Sequence, residues 1–114
     1  MRTLVDIYDY CITKPGTTED LPFGPTPLVY KVAGKIYLFV GNDEYAPTIA
    51  VKGAPEDIAQ LREQYSSVFA GPYLNAKHWT TIQLTGEVPD DVVRSLVDTS
   101  YALVVKGLPR AKRP

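Results

Sequence analysis

Apolar residues recur along the chain with two different periods, and the switches between them outline the fold. Near the start, Leu4, Tyr8, Cys11 and Ile12 fall at i, i+4, i+7 and i+8, with Val5 and Ile7 beside them. Thr3 stands where a helix cap belongs, and Asp6 three residues on completes a capping box, so the spacing predicts a helix over 4–14 with Cys11 on its buried stripe. Pro15-Gly16 ends it. Three prolines, a glycine and the acidic pair Glu19-Asp20 then read as an ordered loop over 17–27, with Phe23 as its anchor.

The period next falls to two. Leu28, Tyr30 and Val32 alternate with Val29 and Lys31, and after Ala33-Gly34-Lys35 the run Ile36 to Val40 reads as the returning strand of a hairpin. Both runs are apolar at nearly every position, which suits a sheet covered at least partly on both faces. Gly41-Asn42-Asp43 signals a turn, and Thr48 to Lys52 a third antiparallel strand. Pro55 with Glu56-Asp57 opens a short helix whose buried stripe is Ile58, Leu61 and Tyr65; Ala54, just before it, is no capping residue. Val68-Phe69 is a possible strand, and Trp79 to Thr85 is the last one, with Ile82 and Leu84 inward. Pro89-Asp90-Asp91 starts the strongest helix, running to Lys106 on Val92, Val93, Leu96, Val97, Ser100, Leu103 and Val104 before Gly107-Leu108-Pro109 stops it. The order α-β-β-β-α-β(β)-α predicts a two-layer α+β domain, a twisted antiparallel sheet with helices packed on it.

Composition bounds the chemistry. The 114 residues, 45% hydrophobic and 22% charged, make one domain, expected over 1–109 with a basic tail at 110–114. One cysteine and one histidine, Cys11 and His78, exclude an internal disulfide and any zinc finger or Cys-Cys redox pair built within one chain. No apolar run reaches the roughly 20 residues a membrane span needs and no signal peptide opens the chain, so a cytoplasmic protein without membrane attachment is expected. A net charge of −1 offers no global field for polyanions, yet it is uneven: residues 1–57 hold 5 Lys/Arg against 8 Asp/Glu, residues 58–114 hold 7 against 5. Lys106, Arg110, Lys112 and Arg113 close the chain with no acid among them; such a tail is a solubilising frayed terminus or a contact for acidic surfaces and nucleic acid.

The candidate chemistry is modest. A buried Cys11 behaves as a small hydrophobe, whereas a nucleophile would need a base such as His78 beside it. The acidic pairs Glu19-Asp20, Asp43-Glu44 and Asp90-Asp91 read as solvated surface or helix-end charges rather than metal ligands, and Gly34-Lys35 between two strands is no phosphate loop. The densest functional cluster is 73–79: Tyr73, Asn75, Lys77, His78 and Trp79. It reads either as a ligand-contacting loop or as a loop fixed by Trp79 and by hydrogen bonds of Asn75 and His78. Lys31, Lys35, Lys52 and Lys77, interleaved with Tyr30, Tyr37 and Tyr73, partly meet the pattern of a sheet that binds nucleic acid.

Lys14-Pro15-Gly16, Glu19-Asp20, Pro22-Phe23-Gly24, Val29-Tyr30-Lys31-Val32 with Gly34-Lys35, Asn75 with Lys77-His78-Trp79, Ser100-Tyr101 with Leu103-Val104, and Leu108-Pro109 together resemble the MmcQ/YjbR family of small bacterial proteins, over nearly the whole chain. The resemblance implies a fold similar to CyaY/frataxin and to type III secretion chaperones. It also implies a double-wing mode of DNA binding, in which loops between strands act as wings. Two functions are therefore expected to compete, neither of them enzymatic. One is DNA binding through Lys31, Lys35, Lys52, Lys77 and His78 with the tail Arg110, Lys112 and Arg113; the other is a protein-interaction or chaperone-like adaptor, whose sign would be an apolar patch on the open face of the sheet. Phe23, Asn75 and Trp79 are expected to be structural, and no metal, cofactor or catalytic residue is anticipated in a protein expected to be monomeric.

Overall fold

The computed structural model describes residues 1–42, 46–72 and 74–114. Helix α1 (Leu4–Cys11) is followed by strands β1 (Thr17–Asp20), β2 (Leu28–Val32), β3 (Lys35–Asn42) and β4 (Pro47–Lys52), helix α2 (Pro55–Gln64), strands β5 (Val68–Phe69) and β6 (Trp79–Gln83), and helix α3 (Asp90–Lys106). All neighbours pair antiparallel in one six-stranded sheet of order β1-β2-β3-β4-β6-β5. The helices cover one face, with α3 lying over β3 and β4. Between the layers Ile7, Cys11, Tyr37, Leu38, Ile49, Val51, Ile82 and Val97 are fully or almost fully buried.

Several expectations from the sequence need correction. The segment taken for loop begins with a strand: Thr17–Asp20 pairs with Val32–Val29, exposed along its outer edge, where a polar composition is what an edge strand requires. Helix α1 stops at Cys11, three residues short, with Ile12 as its C-cap. Its buried stripe is Ile7 and Cys11; Leu4, Tyr8 and Ile12 are exposed and Val5 is 66% exposed. One helix edge over the sheet hides a narrow arc, and Ile7 and Cys11, at i and i+4, fill it. Gly41 and Asn42 extend β3 rather than turning; the turn expected to continue at Asp43, and the pair Asp43-Glu44, lie outside the described residues.

Helix ends follow their sequence signals. Thr3 and Asp6 form a reciprocal capping box, and Ala54 leaves α2 without a side-chain cap, its start resting on Pro55. Asp90 does not cap α3: Pro89 is the N-cap, and the Asp90 carboxylate pairs with the terminal amine of Met1 and with Arg94. The last residues are not frayed. A short 3-10 turn (Arg110–Lys112) is followed by Arg113, whose Nε and Nη2 donate to the carbonyls of Leu108 and Lys106 at 3.0 and 2.9 Å and so satisfy acceptors at the end of α3.

A bulge between β2 and β3 shapes the core. Tyr30 faces Leu38 and Lys31 faces Ile36, so Tyr37 has no partner opposite it. The extra residue lets Tyr37 and Leu38, adjacent in sequence, both enter the core. The Tyr37 ring stacks edge-on with Tyr101 at 5.2 Å, and its hydroxyl reaches Thr17 Oγ1 at 2.9 Å and donates to the Cys11 carbonyl at 3.4 Å.

Candidate functional site

The face of the sheet away from the helices carries the candidate site. Register places Val29, Phe39, Ala50, Thr81 and Phe69 in one row across β2, β3, β4, β6 and β5, with Gly41, Thr48 and Gln83 in the next row on the same face. In the other direction along the strands the row continues with Lys52 and its partner Trp79. Two loops rise over this surface. One side of the resulting groove is Phe23, Thr26 and Pro27, the other Pro72 and Leu74, and the floor is Phe39, Gly41, Thr48, Ala50 and Thr81. The groove encloses about 740 Å³, and among the described residues no charged side chain lines it.

Two glycines make this shape possible. A Cβ at Gly71 would lie 2.3 Å from Thr81 Oγ1, so glycine lets the chain leaving β5 run close over β6; at Gly41 a Cβ would stand 2.4 Å from Thr48 Oγ1. Phe23 is 63% exposed, a wall of the groove rather than the buried anchor its setting among prolines suggests. Prolines fix the backbone of this loop, so an apolar side chain is held in water without being packed.

The 74–79 segment is ordered as the sequence indicates. The Asn75 carbonyl accepts from the amides of His78 and Trp79 at 3.2 and 2.9 Å, and Asn75 Oδ1 accepts from the Lys77 amide at 2.9 Å. Trp79 is half-buried, its ring edge-on to Phe39 at 5.4 Å, while Arg62 of α2 donates to its carbonyl at 2.8 Å. Tyr73 lies outside the described residues.

The expected cations are brought together at one end of the sheet. Lys35 begins β3 and Lys52 ends β4; Lys77 and His78, both exposed, precede β6, and the Gly53 amide donates to the His78 carbonyl at 2.9 Å. The tail that carries Arg110, Lys112 and Arg113 finishes at the same end, at the β1 edge, since Pro114 packs near Gly16 just before β1. Lys31 is different. Its ammonium is 2.8 Å from Asp20 Oδ2, and that bond holds the Asp20 carboxyl below its usual value. Among the described residues neither Lys52 nor Lys77 has a carboxylate within salt-bridge distance, though Glu56 and Asp57 open α2 at this end on the helix side.

Three titratable groups away from the groove lie within or between the helices. Cys11 is buried beneath α1, and burial pushes its thiol up to about 11, so it holds its proton at neutral pH. Asp98 is pushed up by partial burial and more strongly down by hydrogen bonds from Lys14 and Tyr10; the net shift is downward, and the cluster ties α1 to α3. Tyr10 is raised to about 12 by desolvation and by its bond to Asp98. No three His, Cys, Asp or Glu side chains cluster for a metal ion, and no helix is long and apolar enough to cross a membrane, among the described residues.

The sequence pointed to an apolar patch on the open face as the sign of an adaptor, but not to the residues that build the groove there. Its floor residues are scattered over three strands and its walls over two loops, so only the register reveals them. The available signal was the unusual pairing of small residues, Gly41 with Thr48 and Ala50 with Thr81, on an otherwise apolar sheet.

Known proteins resemble this chain over most of its length. The Escherichia coli K12 protein YjbR, named as uncharacterized, is 34% identical over 111 residues, 97% of this chain and 94% of its own length. YbdF of Escherichia coli O157:H7, likewise uncharacterized, is 35% identical over 92 residues, 81% of this chain and 74% of its own. The crystal structure of the Deinococcus radiodurans protein DR2400, a DUF419 domain, matches with a TM-score of 0.92 at 33% identity over 99% of this chain and 86% of its own. A Pseudomonas syringae protein at 23% identity shares the fold, with a TM-score of 0.77 over 89% of this chain and 97% of its own. Residues 12–103 match the family model YjbR, and with relatives of this identity across nearly its full length the chain belongs to the YjbR family.

Proposed function

We propose that the protein is a non-enzymatic adaptor that holds an extended segment of another protein in the groove on the open face of its sheet. The observation that carries this reading is the groove itself: about 740 Å³, walled by Phe23, Pro72 and Leu74, floored by Phe39 and Ala50, and free of charge among the described residues. A groove of this kind, with the exposed ring of Phe23 on its rim, gains free energy when apolar side chains of a partner cover it. Nucleic acid is a poorer fit to the groove, because phosphates need cations along their path and the aromatic rings of Phe39 and Trp79 are packed on each other rather than open for stacking. A Cys11 thiol buried and protonated at neutral pH supports the non-enzymatic reading.

The test is selection from a random dodecapeptide display library against the intact chain, compared with Thr48→Tyr. The introduced ring would lie over Gly41, where an aromatic side chain has room, and so block the floor while keeping the strand. Peptides enriched on the wild type and lost on Thr48→Tyr are expected; equal enrichment on both proteins, or none, would overturn the reading.

DNA binding is the second reading, and the observation favouring it is the gathering of Lys35, Lys52, Lys77 and the Arg110–Arg113 tail at one end of the sheet. It predicts a duplex affinity that falls steeply with salt, with a slope of about 0.9 per phosphate contacted. Peptide binding in the groove would change far less over the same series.

A further inference from the structure

We propose that the segment held in the groove carries aspartate or glutamate at one end, where it passes over Lys52 and Lys77, so that the partner's motif is an apolar stretch with an acidic flank. This rests on the adaptor reading above and adds direction and sequence preference to it. Lys52 follows Ala50 on the open face, one side-chain position, about 7 Å, beyond the groove floor. Lys77 stands two residues before Trp79, the partner of Lys52, in a turn whose backbone Asn75 fixes, so its side chain starts from a defined point near the same mouth. The other lysine on this face, Lys31, is already engaged by Asp20, and Lys14 on the helix side by Asp98. Lys52 and Lys77 thus keep their charge available to a ligand, among the described residues.

The groove and its mouth therefore ask for different chemistry in sequence. Along the floor a charged side chain would lose water without gaining a partner, which disfavours it. Past Ala50 the situation reverses, and a carboxylate gains two cations in a half-solvated setting while leaving the apolar contacts undisturbed. A phosphate chain would satisfy the mouth but not the floor; a purely apolar peptide would satisfy the floor but not the mouth. An extended peptide with both parts satisfies the two together.

The dodecapeptides enriched in the selection supply the probe. They are expected to place large apolar residues at alternate positions and Asp or Glu toward one end. Measured by fluorescence anisotropy, an enriched peptide should bind the Lys52→Glu/Lys77→Glu protein at least about 10-fold more weakly, and that protein should prefer the same peptide with its acids changed to lysines. Circular dichroism and the urea midpoint of the variant establish that it is folded. Apolar peptides without an acidic flank, or an affinity unchanged in the double variant, would overturn this inference while leaving the adaptor reading intact. Failure of the peptides to discriminate wild type from Thr48→Tyr would overturn both.

Discussion

Ser100 shows how much a single polar side chain can carry in this fold. It is fully buried on α3, its Oγ accepts from the Lys52 amide at 2.8 Å and donates to the Tyr37 carbonyl at 2.5 Å. The pairing of β3 with β4 runs only to Leu38 opposite Val51, just where the bulge inserts Tyr37. The next two backbone groups, which a regular ladder would have joined, are instead bridged by the hydroxyl. Ser100→Ala leaves a part-buried donor and a buried acceptor without partners, and a loss of about 2 to 3 kcal/mol is expected. Urea denaturation checks this as a lowered midpoint at an unchanged slope. A loss below about 0.5 kcal/mol would mean that the strands re-pair without the hydroxyl. Helical spacing already put Ser100 on the buried stripe of α3, but its task could not be read there, because the bulge it compensates lies 63 residues away in the chain.

At the scale of elements, α1 separates what periodicity can tell from what it cannot. The capping box and the burial of Cys11 were legible; the orientation of the apolar residues was not, because a helix with apolar side chains on most of its circumference offers several stripes of equal merit. The edge strand β1 escaped for the opposite reason, since Thr-Thr-Glu-Asp has no apolar alternation to detect. Burial now assigns consequences. Ile7→Ala should cost about 3 kcal/mol, whereas Leu4→Lys and Ile12→Lys should each change stability by less than about 0.5 kcal/mol, as thermal or urea melts will show. The tie from α1 to α3 carries a pH signature. The Asp98 carboxyl titrates below its ordinary value of 3.8 in the folded chain, so its contribution is fully present above that value and is lost as pH falls through the lower folded one. Asp98→Asn is therefore expected to destabilise by about 1 kcal/mol at pH 7, the Asp98 carboxylate being half exposed, with the gap to wild type narrowing as pH falls below 3.8.

At the scale of the whole molecule, the antiparallel sheet sorts charge that the chain scatters. Ends of β2 and β4 and beginnings of β3 and β6 meet on one side, which is how Lys35, Lys52 and Lys77 come to share one end of the sheet with a tail that finishes near Gly16 at its β1 edge. A net charge of −1 conceals this, and so does the difference between the two halves of the sequence. The basic candidates were legible as residue types, their meeting was not, and Lys31 drops out through a neighbour, Asp20, that sequence separation by a proline-rich loop had hidden. The arrangement predicts that a chain with a pI near 5.7 is nonetheless retained on heparin at pH 7 and low salt, and released by about 0.2 M salt, where screening falls within about 7 Å. Lys52→Glu/Lys77→Glu should elute clearly earlier. Lys31→Glu should shift elution less, since the ammonium it removes is already neutralised by a carboxylate 2.8 Å away. If instead the two variants elute alike and Arg110→Ala/Lys112→Ala abolishes retention, polyanions meet the tail alone, and the mouth of the groove is left to the acidic flank of a protein partner.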